Sequence, residues 1–298
     1  MSNQPPQPEH KAGFVSIVGK PNVGKSTLMN QLVGERLSII TSKAQTTRHR
    51  IMGIINDENF QIVYSDTPGI IKPIYELHES MMRFVSASLE DADVVLFVTD
   101  IYEQFDEQDV LDKIRRAKAP IVLLINKIDL ASEEEVKEKV AYWQEKVNPD
   151  EIMAISALHQ FNTAEVLQCI LRYIPVHPPY FDKESLTDRP ERFFASEIIR
   201  EQLFLHYKKE VPYSCEVGIE YFKEADDLIK IGAVIVVERD TQKAIIIGKG
   251  GAMLKKVGTQ ARLQLEAFFQ KKVFLEQFVK VEPNWRKNKG KLSEFGYS

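Results

Sequence analysis

The amino-acid sequence predicts two folded parts: an α/β part built on a mostly parallel sheet, then a smaller α+β part. Three observations predict it. From residue 14 to about 174, short β-branched runs alternate with longer stretches of helical periodicity. Pro175, Pro178, Pro179 and Pro190 then fall within 16 residues and end that rhythm. Beyond them the order becomes a helix, two strands, a glycine turn, a helix and a last strand, as in a small α+β domain.

In the first part, Phe14–Val18 reads as a strand and Ser26–Leu32 as a helix. Phe60–Tyr64, Val94–Thr99, Ile121–Ile125 and Ile152–Ile155 are further apolar runs of strand length. The segments between them are long enough for crossover helices, so the strands run parallel with helices on both faces. The prolines mark a stiff connection. In the second part, Phe193–Lys208 reads as an amphipathic helix, and Cys215–Phe222 and Leu228–Val237 as strands. A short apolar run, Ile245–Ile247, precedes the glycine turn. A helix over Ala252–Phe268 and a strand over Val273–Val281 follow. The boundaries are thus 12–175 for the first domain, 176–190 for the linker, 191–283 for the second domain and 284–298 for a loose, basic tail.

Composition supports this division. The 298 residues are 44% hydrophobic and 28% charged, which is globular. Cys169 and Cys215 have neither disulfide-framework nor metal-ligand spacing, which fits a reducing cytoplasm. Met1 to Lys11 is polar and lacks an apolar signal segment. No run approaches the roughly 18 apolar residues of a membrane span. A soluble, cytoplasmic monomer is expected, with peripheral attachment at the inner face of the cell membrane left open. Charge is uneven: −8 over residues 1–190, +4 over 191–298, and +9 within 243–291. That block has the sign to meet a polyanion, or to form a solvated lysine-rich face.

Gly19-Lys20-Pro21-Asn22-Val23-Gly24-Lys25-Ser26 satisfies G-x-x-x-x-G-K-[ST] between a strand and a helix. Glycines let backbone N–H groups wrap phosphate, and the helix aims its positive end at the same anion. Lys25 has the reach for the β- and γ-phosphates, and the Ser26 hydroxyl suits Mg²⁺, with Thr27 following on the helix. Asp66-Thr67-Pro68-Gly69 ends the strand Phe60–Tyr64, 40 residues after Ser26. Asp66 suits Mg²⁺, and the Gly69 N–H suits the γ-phosphate. Between the motifs, the polar stretch from Ser42 to Arg50 reads as a flexible switch loop. Thr47, with Thr46 as the alternate, is placed to complete the metal shell and to let go when the γ-phosphate leaves. Ile70 stands where related enzymes carry a water-orienting glutamine and has no group for that task.

Asn126-Lys127-Ile128-Asp129 selects guanine. The Asp129 carboxylate accepts from donors that adenine lacks, while Asn126 and Lys127 shape the pocket. Ser156-Ala157-Leu158 follows the next strand and supplies a small residue and a backbone N–H toward the base. The ligand is therefore GTP or GDP with Mg²⁺, and an ATP-driven motor is opposed. In the second part, Gly248-Lys249-Gly250-Gly251 opens the helix Ala252–Phe268, a G-x-x-G turn of the KH kind. Glycine lets the loop press on a sugar–phosphate backbone, and Lys249, Lys255, Lys256 and Arg262 add charge. The groove beside it should be apolar, to take unstacked bases. Leu254, Val257, Ala261, Leu265 and Phe268 recur at helical spacing and read as core. Trp285 reads equally as a stacking or a packing residue.

In this order G-K-P-N-V-G-K-S, K-A-Q-T-T-R-H-R, D-T-P-G, N-K-I-D, A-S-E-I-I-R-E and I-I-G-K-G-G resemble the bacterial Era family of GTPases, from about residue 12 to about 282. The resemblance implies a P-loop G domain followed by a type II KH domain. It implies binding to the 3′ end of small-subunit ribosomal RNA and a role in assembling the small ribosomal subunit. It also implies that a hydrophobic residue at Ile70 is shared by the family. Likeness to potassium-activated GTPases implies a K⁺ ion beside Asn22. A reading from another class is a GTP-regulated switch whose partner is a protein or a membrane.

Overall fold

The computed structural model describes residues 9–103 and 108–297, so residues 1–8 of the polar N-terminal stretch lie outside the described residues. The chain divides into two units. One takes residues up to Ser38, Thr47–Ile71 and Met82–Asp188; the other takes Ile39–Thr46, Lys72–Met81 and the chain from Arg189 onward.

The first unit is a six-stranded sheet. Its strands are β1 (Lys11–Val18), β2 (Ile51–Asn56), β3 (Phe60–Asp66), β4 (Val94–Asp100), β5 (Ile121–Asn126) and β6 (Glu151–Ala154), in the order β2-β3-β1-β4-β5-β6. All neighbours run parallel except β2 and β3. Helices α1 (Lys25–Val33), α3 (Gln108–Arg115), α4 (Glu133–Val147) and α5 (Thr163–Tyr173) belong to this unit, and α2 (Glu76–Glu90) begins in the other. Strands β4 and β5 are apolar at nearly every position because both faces are covered. Val95, Phe97, Leu123 and Ile125 pack on Trp143, whose ring meets Phe97 edge-on at 5.4 Å.

Parallel register sets the site. Ile17 lies opposite Asp66, Asp100 opposite Asn126 and Ile125 opposite Ala154, so every motif leaves the same edge of the sheet. The sequence reading missed β2. Its run Ile51-Met52-Gly53-Ile54-Ile55 is short and broken by a glycine. A Cβ on Gly53 would sit 2.7 Å from the end of Met29 and 2.8 Å from Val33, so this position packs closely against α1. The proline-marked connection is a strap laid on β2 and β3. Buried Gln61 accepts from the N–H groups of Tyr180 (2.7 Å) and Phe181 (2.9 Å), and Ile54 N–H donates to Leu186 O (2.8 Å).

The second unit runs α6 (Glu191–His206), β7 (Glu216–Glu224), β8 (Leu228–Val237), α7 (Asp240–Ile247), α8 (Ala252–Phe269), β9 (Lys272–Val281) and α9 (Lys289–Glu294). Its sheet is β7-β8-β9, antiparallel then parallel, and α-β-β-α-α-β is the type II KH order. Ile199 and Leu203 of α6, Ile231 and Ile235 of β8, and Val257 and Leu265 of α8 form the core. The run Ile245–Ile247 proves to be the last turn of α7. That helix starts where the Gln242 side chain accepts from the N–H groups of Glu238 and Arg239, both at 3.0 Å.

The expectation of a loose tail is corrected. Trp285, Leu292 and Tyr297 are buried, the Trp285 indole donates to Ser214 O at 3.0 Å, and the Tyr297 hydroxyl donates to Glu216 Oε2 at 2.6 Å. Trp285 is thus a packing residue. The polar residues around it masked two large aromatic anchors and a buried leucine. Among the described residues no helix is long and apolar enough to cross a membrane. Trp285→Ala should cost about 3–5 kcal/mol in the second unit. Urea unfolding would show this as a lowered midpoint, whereas a loose tail would leave the midpoint where it was.

Candidate functional site

The loop between β1 and α1 is held open by close backbone approaches. A Cβ on Gly19, at φ 153°, would lie 2.1 Å from Val98 O. One on Gly24, at φ 100°, would lie 2.2 Å from the Asn126 amide nitrogen. Gly24 caps α1 in the left-handed region, and Asn22 also has a positive φ of 65°. Lys25 is buried, and its Nζ donates to Gly19 O (3.1 Å) and Lys20 O (2.8 Å). Burial lowers its pKa to about 8, against the opposing pull of Asp66 and Glu103. An anion beside this ammonium would favour its charged form.

Asp66 is wholly buried at the end of β3. The Ser26 hydroxyl donates to Asp66 Oδ2 at 2.7 Å and lies 2.9 Å from the Thr47 hydroxyl. Burial raises the Asp66 pKa, opposed by Lys25 and by hydroxyl hydrogen bonds. Asp66 Oδ1 is buried with no hydrogen-bond partner among the described residues. Two hydroxyls and a carboxylate with an unused oxygen, gathered beside a phosphate loop, fit a hard divalent cation. The structure brings Thr47 to this cluster. Thr46 instead donates to Lys43 O at 2.8 Å and meets Thr41.

Thr67 donates to Ile17 O at 2.7 Å and pins the D-T-P-G turn to β1. A Cβ on Gly69 would come within 2.6 Å of Pro21, so glycine is needed for the two loops to meet. Ile70 N–H donates to Gly19 O at 3.0 Å, and the Ile70 side chain is buried with Val18 and Val85. It points to the core and offers nothing to a water.

Asn126 is buried at the end of β5 and binds two loops. Its Nδ2 donates to Val23 O at 2.7 Å, and its Oδ1 accepts from Ala157 N–H at 2.9 Å. Lys127, at φ 63°, pairs with Asp100 at 2.8 Å. Asp129 accepts from the Ser156 hydroxyl at 2.5 Å, and its other oxygen lies 3.8 Å from His159 Nε2. Ser156 and Ala157 are buried and Leu158 is exposed. The N–H groups of Ser156 and Ala157 are engaged by Phe161 and Asn126, so Leu158 keeps the N–H of this tripeptide that can face a base. Asp100 and His159 were missed from sequence. Asp100 ends an apolar strand just as Asp66 does, and that was the signal available.

In the second unit, Gly248 (φ 71°), Gly250 (φ 59°) and Gly251 (φ 80°) carry the turn from α7 into α8. Lys249, Lys255 and Lys256 are exposed around it. Arg262 pairs with Glu266 of its own helix at 2.9 Å. The groove beside the turn, about 370 Å³, was expected to be apolar and is mixed: Leu254 and Leu275 share it with Lys255, Arg262 and Gln277. Segment 39–46 also belongs to this unit. Arg200, buried on α6, pairs with Glu197 and donates to Thr46 O at 2.6 Å, and Ile40 N–H donates to Glu201 Oε1 at 3.2 Å.

A phosphate loop, a metal-ready cluster at its rim and a carboxylate set for guanine define a P-loop GTPase, here followed by a KH domain. Residues 14–127 match the family described as 50S ribosome-binding GTPase, and residues 210–286 match the KH domain family. The chain is 47% identical to GTPase Era of Geotalea daltonii, over 96% of this chain and 97% of that one. It is 42% identical to the chloroplastic GTPase ERA-like protein of Oryza sativa subsp. japonica, over 97% of this chain and 70% of that one. The crystal structure of Era in complex with MgGDPNP and nucleotides 1506–1542 of 16S ribosomal RNA superposes with TM-score 0.93 at 41% identity, covering 97% of this chain and 99% of that one. A variant of Aquifex aeolicus Era bound to GDP·AlF4⁻ gives TM-score 0.92 at 40% identity, with the same coverage. The chain belongs to the Era family of GTPases.

Asp129→Asn should shift preference from guanine toward xanthine nucleotides, because the amide donates where the carboxylate accepted. Competition binding with GTP and XTP reads this directly; undiminished GTP selectivity would refute the assignment.

Proposed function

We propose that this chain hydrolyses GTP to GDP with Mg²⁺ and carries the 3′ end of small-subunit ribosomal RNA on its KH domain during assembly of the small ribosomal subunit. One observation carries the reading: likeness over 97% of the chain to an Era structure holding both MgGDPNP and a 16S ribosomal RNA segment. The broader family description names the 50S ribosome, but that match spans only residues 14–127. The G domain is assigned 12–175 and the KH domain 191–283, with the packed segment 284–297 completing the second unit.

In this reading the backbone of Gly19, Val23 and Gly24, with Ser26 and Thr27, cradles the phosphates, and Lys25 sets its ammonium against the β- and γ-phosphates. Ser26, Thr47 and Asp66 would hold Mg²⁺, which supplies positive charge to the phosphate oxygens. The Gly69 N–H meets the γ-phosphate. Asn126, Lys127 and Asp129 grip guanine, and Ser156, Ala157 and Leu158 close its edge. Gly248, Lys249, Gly250 and Gly251 press on the RNA backbone, with Lys255 and Lys256 adding charge. Water is aligned by a group other than Ile70. A cytoplasmic location is the expectation that accompanies these ligands. Peripheral attachment to the inner face of the cell membrane is a separate expectation, checked by fractionation.

The test is RNA binding by the full chain loaded with a non-hydrolysable GTP analogue or with GDP, beside Gly248→Asp. Tight, salt-sensitive binding in the GTP form, weakened about tenfold or more by Gly248→Asp, is expected. No binding in either form would remove the ribosomal role and leave the GTPase. A K⁺ ion beside Asn22 predicts faster hydrolysis in KCl than in NaCl, and equal rates would remove the ion.

A further inference from the structure

One buried carboxylate beside the phosphate loop is neither a metal ligand nor a reader of the base. Glu103 lies just after β4, and its side chain is 7% exposed. The Thr99 hydroxyl donates to Glu103 Oε2 at 2.8 Å, and the Lys139 ammonium donates to the Glu103 carbonyl. The other carboxylate oxygen, Oε1, is buried with no hydrogen-bond partner among the described residues. Lys20 Nζ of the phosphate loop lies 4.0 Å from it, beyond hydrogen-bond reach. Burial pushes the Glu103 carboxyl up, and the Thr99 hydroxyl and Lys20 pull it back toward the charged form. A methionine would fill the same space with no charge to desolvate and no oxygen left over, so packing does not account for a glutamate here.

Its neighbours are the cations of the nucleotide site. Lys20 is the second residue of the loop 19–26, and its own carbonyl accepts from Lys25 Nζ at 2.8 Å. The Glu103 charge also reaches Lys25 and favours its ammonium. One carboxylate thus acts on both lysines of the loop. While the loop is empty, the two ammonium groups repel each other, and the carboxylate offsets that repulsion. Once a di- or triphosphate enters, the phosphates take over that task. The carboxylate is then a like charge beside them, in a buried setting where repulsion is strong. The cost of desolvating Glu103 is common to both states. What remains favours the empty loop over the filled one. Asp66, which also acts on Lys25, would have its charge met by Mg²⁺ in the filled site.

We propose that Glu103 is a positioning residue that acts through Lys20 and Lys25 as an internal counter-anion, standing in for the phosphates while the loop is empty and hastening the release of GDP when it is filled. This rests on the reading of the nucleotide site above.

The experiment measures release of N-methylanthraniloyl-GDP from the full chain with Mg²⁺, chased by excess GDP. Wild type, Glu103→Gln, Glu103→Met, Glu103→Asp and Lys20→Gln are compared. Gln and Met both keep the length of the side chain, and either carries the test where the other fails to fold. Both should slow release by about tenfold. Both should also widen the rise in melting temperature that GDP brings. The gain in affinity should grow from guanosine to GMP to GDP, because the carboxylate acts on phosphate charge. Glu103→Asp keeps the charge and should release GDP nearly as wild type does. Lys20→Gln leaves that charge uncompensated and should speed release. Loss of a merely structural ion pair would speed release from either side. Faster or unchanged release in Glu103→Gln and Glu103→Met therefore overturns the assignment, as does an equal change in affinity for guanosine and GDP. Failure of wild type to bind GDP would overturn the nucleotide-site reading itself and the assignment with it.

Discussion

The Asn126 side chain is the joint on which the nucleotide site depends. Through its two amide atoms it fastens Val23 of the phosphate loop and Ala157 of the loop after β6 to the end of β5. These segments are more than 100 residues apart along the chain, yet one buried group sets their spacing. The glycine at position 24 follows from the same joint, because any Cβ would strike that amide. Breaking it would leave a buried carbonyl and a buried N–H unsatisfied, at about 1–3 kcal/mol each. Phosphate recognition and base recognition thus share one buried side chain, which favours gripping a nucleotide at both ends with little reorganisation.

The loop that carries Thr46 and Thr47 is arranged differently. Its polar composition reads as flexible, but residues 46–49 are buried. Two neighbouring threonines have separate allegiances. Thr47 meets Ser26 and the Asp66 cluster, whereas the Thr46 carbonyl is taken by Arg200 of α6. Burial works against the Arg200 charge, and Glu197 with the neighbouring ionisable groups outweighs it and keeps the guanidinium charged. Lys43 adds a second tie, donating to the last carbonyls of α6 at Phe204 and Tyr207.

Legibility in the sequence follows this physics. The phosphate loop, D-T-P-G and N-K-I-D are readable because their chemistry needs fixed residue types at fixed spacing. The strands β4 and β5 are readable because burial on both faces leaves them apolar. What packing alone decides is not readable. Nothing local shows that Gly53 makes room for Met29, or that Trp285 and Tyr297 turn back onto Ser214 and Glu216. The choice between Thr46 and Thr47 depends on which carbonyl Arg200 takes, 154 residues away. The polar α6 positions Glu197, Arg200 and Glu201 look like a solvated face and are buried instead. The A-S-E-I-I-R-E stretch was legible only as a family likeness; its physical reason is these ties.

The chain uses one device twice, a glycine turn capping a helix beside a lysine, and the difference between the two copies separates their ligands. Before α1 the glycines are enclosed: added Cβ atoms at Gly19 and Gly24 would strike Val98 and Asn126. Such close backbone packing suits the compact end of a triphosphate. Before α8 the glycines are open. Gly250 and Gly251 have nothing within 4 Å of an added Cβ and are required only by their positive φ. Gly248 alone is crowded, by Met253. An open turn with exposed lysines lets a continuous phosphate backbone enter at one end and leave at the other. The first copy has the form that suits a compact ligand, and the second the form that suits a polymer.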